Sequence, residues 1–254
     1  MTVRFEARGH VGIITIDRPE ARNAIDRATA EGIEEAVDRL EDDDDLWVGV
    51  LTGAPPVFCA GADLRVVAEE GIGHTGTARG GFAGLVRRVR DTPLVAAVNG
   101  PALAGGFELV LACDLVVASR EARFGLPEVR RALVAGAGGL VRLPFAVPRN
   151  IAMEIALTGE PIDAATAARL GLVNQMVEPD EVLDAAVALA ERVCAGAPLA
   201  VRRSRQVLLT ALDQGPDAAW EASAQGLRAM AETEDFVEGP KAFLEKRPPN
   251  WKGR

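Results

Sequence analysis

Four short runs limit what this chain can fold into: VGIITID (11–17), LWVGVLTG (46–53), PLVAAVNG (93–100) and CDLVVAS (113–119). Each is rich in small or β-branched apolar residues and closes on Gly, Asp or Ser, so each reads as a buried strand ending in a turn. Between the first two, Ile33, Ala36, Val37 and Leu40 recur at i, i+3, i+4 and i+7, which predicts an amphipathic helix. Strands alternating with helices indicate an α/β domain. From about Pro161 the pattern changes. Helices are expected over 163–170 and 181–194, the second burying Leu183, Ala186, Val187, Ala190 and Val193, and no strand pattern returns after Pro198. The expected organisation is an α/β core over residues 1–195 and a helical region over residues 196–254.

Charge and residue usage narrow the functional classes. The chain has 37 acidic and 28 basic residues, a formal charge of −9, so a broad nucleic-acid or anionic-membrane surface is not expected. A small anion held by a few local cations remains compatible with that balance. Cys59, Cys113 and Cys194 are odd in number and widely spaced, with no CxxC pair, which argues against structural disulfides and a cysteine zinc site. His10 and His74 are the two histidines, too few for a histidine triad or a metal cluster, and no metal is expected. The opening residues lack the apolar core of a signal peptide, and the uncharged stretch 92–107 is broken by Pro and Gly, short of a membrane span. A soluble, cytoplasmic protein is expected. The acidic run 41–45 reads as a solvated loop, and 69–84, with six glycines, as a mobile loop that is either a lid or slack.

Three places can carry chemistry. In VFCAGADL (57–64), Ala60, Gly61 and Ala62 allow close backbone approach and leave N–H groups open; the plainer reading is a tight turn into a helix capped by Asp63. In LAGGFELVLACD (103–114), Gly105 and Gly106 precede a helical run from Phe107 to about Ala112, whose free N–H groups and dipole suit an oxyanion. Glu108 falls in its first turn. A glutamate there complements the dipole on an exposed helix, but Phe107, Leu109, Val110 and Leu111 leave no polar face, and a buried carboxylate costs several kcal/mol unless paired or protonated. In FGLPEVRRALVAGAGGLVRLP (124–144), Pro127 suits a first helical position and Glu128 the first turn, which is a complete structural account by itself. The GAGG of 136–139 is a phosphate-loop candidate without the Lys and Ser/Thr of a P-loop. Two carboxylates beside two Gly-rich donor sites together suggest acid/base chemistry next to a stabilised enolate-type oxyanion.

On these segments the chain resembles the enoyl-CoA hydratase/isomerase (crotonase) superfamily, nearly end to end. DRPEARNAI (17–25), FCAGADL (58–64), VNGPALAGGFELVLACDLVVAS (98–119), the 124–144 stretch, LTGEPIDAATAARLGLVNQMV (157–177) and FLEKRPPNWK (243–252) carry the likeness. The resemblance implies a spiral of β-β-α units with a C-terminal helical region that assembles trimers, often paired into hexamers. It implies an acyl-CoA thioester substrate whose carbonyl oxygen meets the Ala62 and Gly105 N–H groups, and no cofactor beyond the coenzyme A of the substrate. Both glutamate positions of the hydratases are filled. Glu108 is then expected to deprotonate water for attack at C3 and Glu128 to protonate C2 of a trans-2-enoyl-CoA, giving 3-hydroxyacyl-CoA by syn-addition. A Δ3–Δ2 enoyl-CoA isomerase needs one of these carboxylates, and a catalytically silent acyl-CoA-binding protein neither. Arg22, Ala24, Ala60, Asp63, Leu64 and Arg65 are the expected substrate and CoA contacts, with Phe243 and Lys246 reaching CoA in a neighbouring subunit. Arg130 and Arg131 follow Glu128; a guanidinium turned inward would hold it ionised, the wrong state for an acid.

Overall fold

The computed structural model describes residues 2–254. It opens with an antiparallel hairpin, β1 (Val3–Arg8) and β2 (Val11–Ile16), turned at Gly9 with φ +56. The Asp26 carboxylate accepts the Thr29 N–H and starts α1 (Arg27–Asp42), which buries Ile33, Ala36, Val37 and Leu40 as their spacing predicts. β3 (Val48–Gly53) then runs parallel to β2. α2 (Leu64–Glu70), capped by Asp63, leads to the two-residue strands β4 (Gly76–Thr77) and β5 (Gly81–Phe82) and to β6 (Leu94–Val98). Next come β7 (Ala102–Leu103), α3 (Gly105–Ala112), β8 (Leu115–Ser119) and β9 (Arg123–Gly125). The core continues through α4 (Gly139–Ala146), α5 (Arg149–Thr158), β10 (Ile162–Asp163), α6 (Ala164–Arg169), β11 (Gln175–Val177) and α7 (Val182–Cys194). Helices α8 (Pro198–Gln214), α9 (Pro216–Met230) and α10 (Glu234–Glu245) follow. Among the described residues no helix is long and apolar enough to cross a membrane.

The main sheet has the order β1-β2-β3-β6-β8-β11, parallel beyond the opening hairpin. Its strands alternate between two apolar layers, because successive side chains point to opposite faces. Ile14, Ile16, Leu51, Phe58, Phe107 and Phe124 belong to one layer. Ile13, Val48, Val50, Val95 and Val117 belong to the other, which α7 covers with Val182, Ala186, Val187 and Ala190. Fully burying one such large side chain contributes roughly 1.5–3 kcal/mol.

A second, shorter ladder positions the loops. β7 pairs with β9 and β9 with β10, and single bridges extend the pairing from Ala102 to Cys59 and from Ala62 to Ile25. Each turn of the chain thus adds a long strand to the main sheet and a short one to this ladder, the β-β-α spiral of the crotonase fold. Ala62, Gly105 and Glu128 all stand on this ladder or within three residues of its strands.

The structure adds elements beyond those expected from the sequence. β1 alternates Val3, Phe5 and Ala7 with Arg4, Glu6 and Arg8, an edge strand that turns one apolar face inward. The glycine-rich 69–84 stretch is not wholly a loop: it holds the end of α2, a 3-10 turn and the β4–β5 hairpin. On α7 the buried stripe begins at Val182, and Leu183 and Val193 are half-buried.

One ion-pair cluster ties α8 to the core. The Asp114 carboxylate accepts the Leu94 N–H at 2.8 Å, Arg90 Nη1 at 2.7 Å and Arg205 Nε at 2.8 Å. Arg205 also donates to the Arg90 carbonyl at 2.6 Å. Arg90 is 6% exposed, so loss of its carboxylate strands a buried charge. Breaking a buried pair from one side costs about 3–5 kcal/mol. Asp114→Ala is therefore expected to lower unfolding stability by about 3 kcal/mol in urea denaturation; a midpoint equal to wild type would refute the clasp.

Candidate active site

The Ala62 and Gly105 N–H groups are presented by different devices. In the bridge to Ile25, the Gly61 carbonyl accepts the Ile25 N–H at 2.8 Å and the Asp63 N–H donates to the Ile25 carbonyl at 2.9 Å. That pattern turns the intervening Ala62 N–H away from Ile25. Gly105 is the first residue of α3, where N–H groups have no helical partner. Ahead of it Ala104 is held at φ +53, ψ −129, a conformation that costs a non-glycine residue about 1–3 kcal/mol. Its carbonyl accepts the Phe107 and Glu108 N–H groups, and its own N–H donates to Gly125. The strained residue is thus over-determined by three hydrogen bonds. A Cβ on Gly61 would stand 2.9 Å from the Gly105 nitrogen, so the two donor segments are in contact. A Cβ on Gly105 would stand 2.4 Å from the Phe82 ring, and one on Gly106 2.0 Å from the Cys59 carbonyl oxygen. Both glycines are required by close approach.

Glu108 and Glu128 face different surroundings. Glu108, 3% exposed, lies in the first turn of α3, and its Oε1 accepts the Gly139 N–H at 2.8 Å. Burial raises its proton affinity, opposed by the N–H groups of Gly139 and Ala137 and by the Arg142 charge. Glu128 lies in a 3-10 turn, Pro127–Arg131, directly after β9. Its Oε2 is buried and, among the described residues, has no hydrogen-bond partner. Burial pushes its pKa up to about 7; its own backbone N–H opposes this, the charge of Glu108 adds to it, and Arg131 opposes it weakly. Arg130 turns away, donating to the Thr158 carbonyl at 2.8 Å and pairing with Glu160 at 3.0 Å. Arg131 is exposed. Neither clamps Glu128 into its ionised form. The arrangement offers one hydrogen-bonded carboxyl group, a second that can release a proton near neutral pH, and two N–H groups suited to an oxyanion.

The other expected contacts divide into two groups. Arg22, Ala24, Ala60, Asp63, Leu64 and Arg65 are brought together. Asn23, fully buried, donates to the Ala54 and Val57 carbonyls at 2.8 and 2.6 Å and accepts the Arg18 N–H at 2.9 Å. The Ala60 N–H donates to the Arg22 carbonyl at 3.1 Å, and Arg18 joins the Ala24 carbonyl to the Asp63 carboxylate. Arg22, Leu64 and Arg65 are exposed at the rim. Phe243 and Lys246, at the end of α10, are not joined to these residues within the chain; Phe243 is 83% exposed.

Several residues of the site went unread in the sequence. Gly139, in the GAGG considered for phosphate, instead spends its N–H on Glu108. Asn23 and Arg18 staple the first loop, and Phe82 covers Gly105. Cys59 lies beside the donors, but burial pushes its thiol up to about 12, which leaves it protonated and unreactive.

Comparison with known proteins identifies the family. Residues 6–254 match the model of the enoyl-CoA hydratase/isomerase family, and the chain belongs to that family. A carnitinyl-CoA dehydratase of Proteus mirabilis is 38% identical, covering 100% of this chain and 99% of the relative; that of Shigella flexneri is 40% identical with the same coverage. The crystal structure of an enoyl-CoA hydratase from Mycobacterium tuberculosis superposes with a TM-score of 0.95 at 45% identity, covering 100% of this chain and 99% of the other. A carnitinyl-CoA hydratase from Mycobacterium avium gives 0.80 at 44%, again covering 100% and 99%.

The raised proton affinity of Glu128 has a signature in stability. Between its ordinary value of 4.5 and about 7, the folded chain keeps a proton that the unfolded chain has released, so stability falls as pH rises through that window. Glu128→Gln removes this loss. Relative to wild type the variant is expected to gain up to about 3 kcal/mol near pH 8 and little near pH 4. Parallel stability–pH curves in chemical denaturation would contradict the assignment.

Proposed function

We propose that this protein catalyses the reversible syn-addition of water to trans-2-enoyl-CoA, giving 3-hydroxyacyl-CoA. The observation that carries the reading is the unequal pair of buried carboxyl groups together with two N–H groups that have no hydrogen-bond partner among the described residues. As water adds, negative charge grows on the thioester oxygen, where the Ala62 and Gly105 N–H groups are already oriented. One such donor is typically worth about 2.7–4 kcal/mol of barrier. Glu108, as carboxylate, takes a proton from the water that attacks C3. Glu128, as acid, gives its proton to C2, and the two exchange roles in the reverse direction. Arg22 and Arg65 are exposed cations suited to the phosphates of coenzyme A. No metal or further cofactor is part of this chemistry.

A carnitinyl thioester, named for the relatives from Proteus and Shigella, is the second reading, since it needs the same addition and elimination of water at an acyl chain bearing a quaternary ammonium. Aromatic faces favour such a cation. The chain contains no tyrosine, and Phe82 is the ring over Gly105. Simple enoyl chains are therefore the first substrates to compare. The protein assembles as a homotrimer or a dimer of trimers, a reading supported by apolar residues exposed on the last helices, among them Leu208, Leu212, Trp220, Leu227, Phe243 and Leu244. Light scattering is expected to give three or six chain masses; a single-chain mass would overturn it.

Wild-type protein is expected to bleach the ultraviolet absorbance of trans-2-enoyl-CoA. Glu108→Ala and Glu128→Gln are each expected to lower kcat/KM by about 10²–10⁴-fold, the range of general acid/base catalysis. In the free enzyme kcat/KM should fall on the alkaline side with an apparent pKa of about 7. Hydration unaffected by either substitution would refute the mechanism. Isomerisation of 3-enoyl-CoA without hydration would move the protein to the isomerases, and tight binding without turnover would make it a silent acyl-CoA binder.

A further inference from the structure

We infer that Arg142 is a positioning residue, which braces the loop that grips Glu108 and sets a positive charge behind that side chain. The inference rests on the hydratase reading, in which Glu108 must act as the base. Arg142 is in the first half of α4, and its side chain turns back beneath the 136–139 loop. Its Nη1 lies 2.0 Å from where a Cβ on Gly138 would stand, and Gly138 is itself at φ +103. The positive φ favours glycine there, and the close approach places the guanidinium against the loop. The next residue, Gly139, donates its N–H to Glu108 Oε1 at 2.8 Å, and a Cβ on it would stand 3.0 Å from Glu108 Cγ. Loop and guanidinium therefore form one support behind the carboxylate.

The far end of the support is also anchored. Arg142 Nη2 donates to the Val86 carbonyl at 2.5 Å, in the segment between β5 and β6. No other hydrogen bond of its guanidinium is found among the described residues, and no ion pair. Its neighbours Arg90 and Arg205 are spoken for by Asp114. The charged and titratable groups acting on Arg142 are Glu108 of α3, Asp213 of α8, Arg90 and the Cys113 thiol. Those acting on Glu108 are Arg142 and, across the site, Glu128, together with the N–H groups of Gly139 and Ala137. Arg142 is the one cation among the groups that bear on Glu108. A half-buried arginine carrying a single hydrogen bond, with a buried glutamate as its first electrostatic partner, is better placed to bias that glutamate than to add stability.

Brace and charge separate experimentally. Arg142→Lys keeps the charge and loses the planar brace, whereas Arg142→Gln and Arg142→Met lose the charge. Removing a positive charge raises the pKa of a nearby carboxylate, so the acid limb of kcat/KM is expected to move up by about one pH unit in the Gln and Met variants. In the Lys variant it should stay near wild type while kcat falls, with KM changed less than kcat in all three. A titration by NMR of ¹³C-labelled glutamate carboxylates, with the Glu108 signal assigned by its absence in Glu108→Gln, reads the same shift without turnover. An acid limb and a Glu108 titration that coincide with wild type in the neutral variants overturn the inference, as does failure of both neutral variants to fold, which would make Arg142 purely structural. If wild type hydrates no enoyl thioester, the hydratase reading fails, and the NMR titration still decides whether Arg142 biases Glu108.

Discussion

A carboxyl 3% exposed in an apolar helix pays a desolvation penalty for its charge, and the rest of the site depends on what opposes that penalty at Glu108. The Gly139 N–H, 2.8 Å from Oε1, meets one oxygen. The Arg142 charge acts from behind the same loop. Hydrogen bonding and an opposite charge both favour the ionised form, against a desolvation penalty that favours the neutral one. Glu128 receives the opposite treatment. It is also buried, its Oε2 has no hydrogen-bond partner among the described residues, and negative charge on Glu108 discourages a second one nearby. One site thereby holds two chemically identical side chains in unlike surroundings, both with raised proton affinity, and the pair titrates as a coupled unit.

The spiral explains how groups distant in sequence come to share that site. The main sheet stacks long strands whose central members are largely apolar, and these fix the layer. The short ladder lies at its side, and chain leaving the ladder has nowhere to go but into a turn. Ala62 sits in one bridge of the ladder, Gly105 follows β7 and Glu128 follows β9. Close contacts set the tolerances: the Phe82 ring against Gly105, the Cys59 carbonyl against Gly106 and the Asn23 amide between two loops. The backbone strain at Ala104 is stored beside a donor, where the surrounding hydrogen bonds can hold it.

Much of this was legible in the chain because some constraints are local. The long parallel strands read as unbroken apolar runs because both their faces are covered. α1 shows its period because one face is wet. Glu108 is conspicuous because its neighbours leave it no polar face, and Glu128 because a proline starts its turn. Other features are long-range and leave little trace. The Gly139–Glu108 bond spans 31 residues, so GAGG alone suggested a phosphate rather than a carboxylate partner. Arg142 in sequence is an ordinary helical arginine; only the fold shows that Gly138 makes room for it. Nothing about an alanine announces φ +53 at position 104. β1 does alternate, Val3, Phe5 and Ala7 against Arg4, Glu6 and Arg8, but it is short and half-exposed at the sheet edge, unlike the unbroken apolar runs of the buried strands.

The measurement that bears most directly on the unequal pair is infrared difference spectroscopy of the carboxyl stretch across a pH titration. Wild type would be compared with Glu108→Gln and Glu128→Gln. The expected result is a protonated-carboxyl band that persists to about pH 7 in wild type and vanishes in Glu128→Gln. Two carboxyls that ionise together in the ordinary glutamate range, about 4.3, would contradict the division of labour between them.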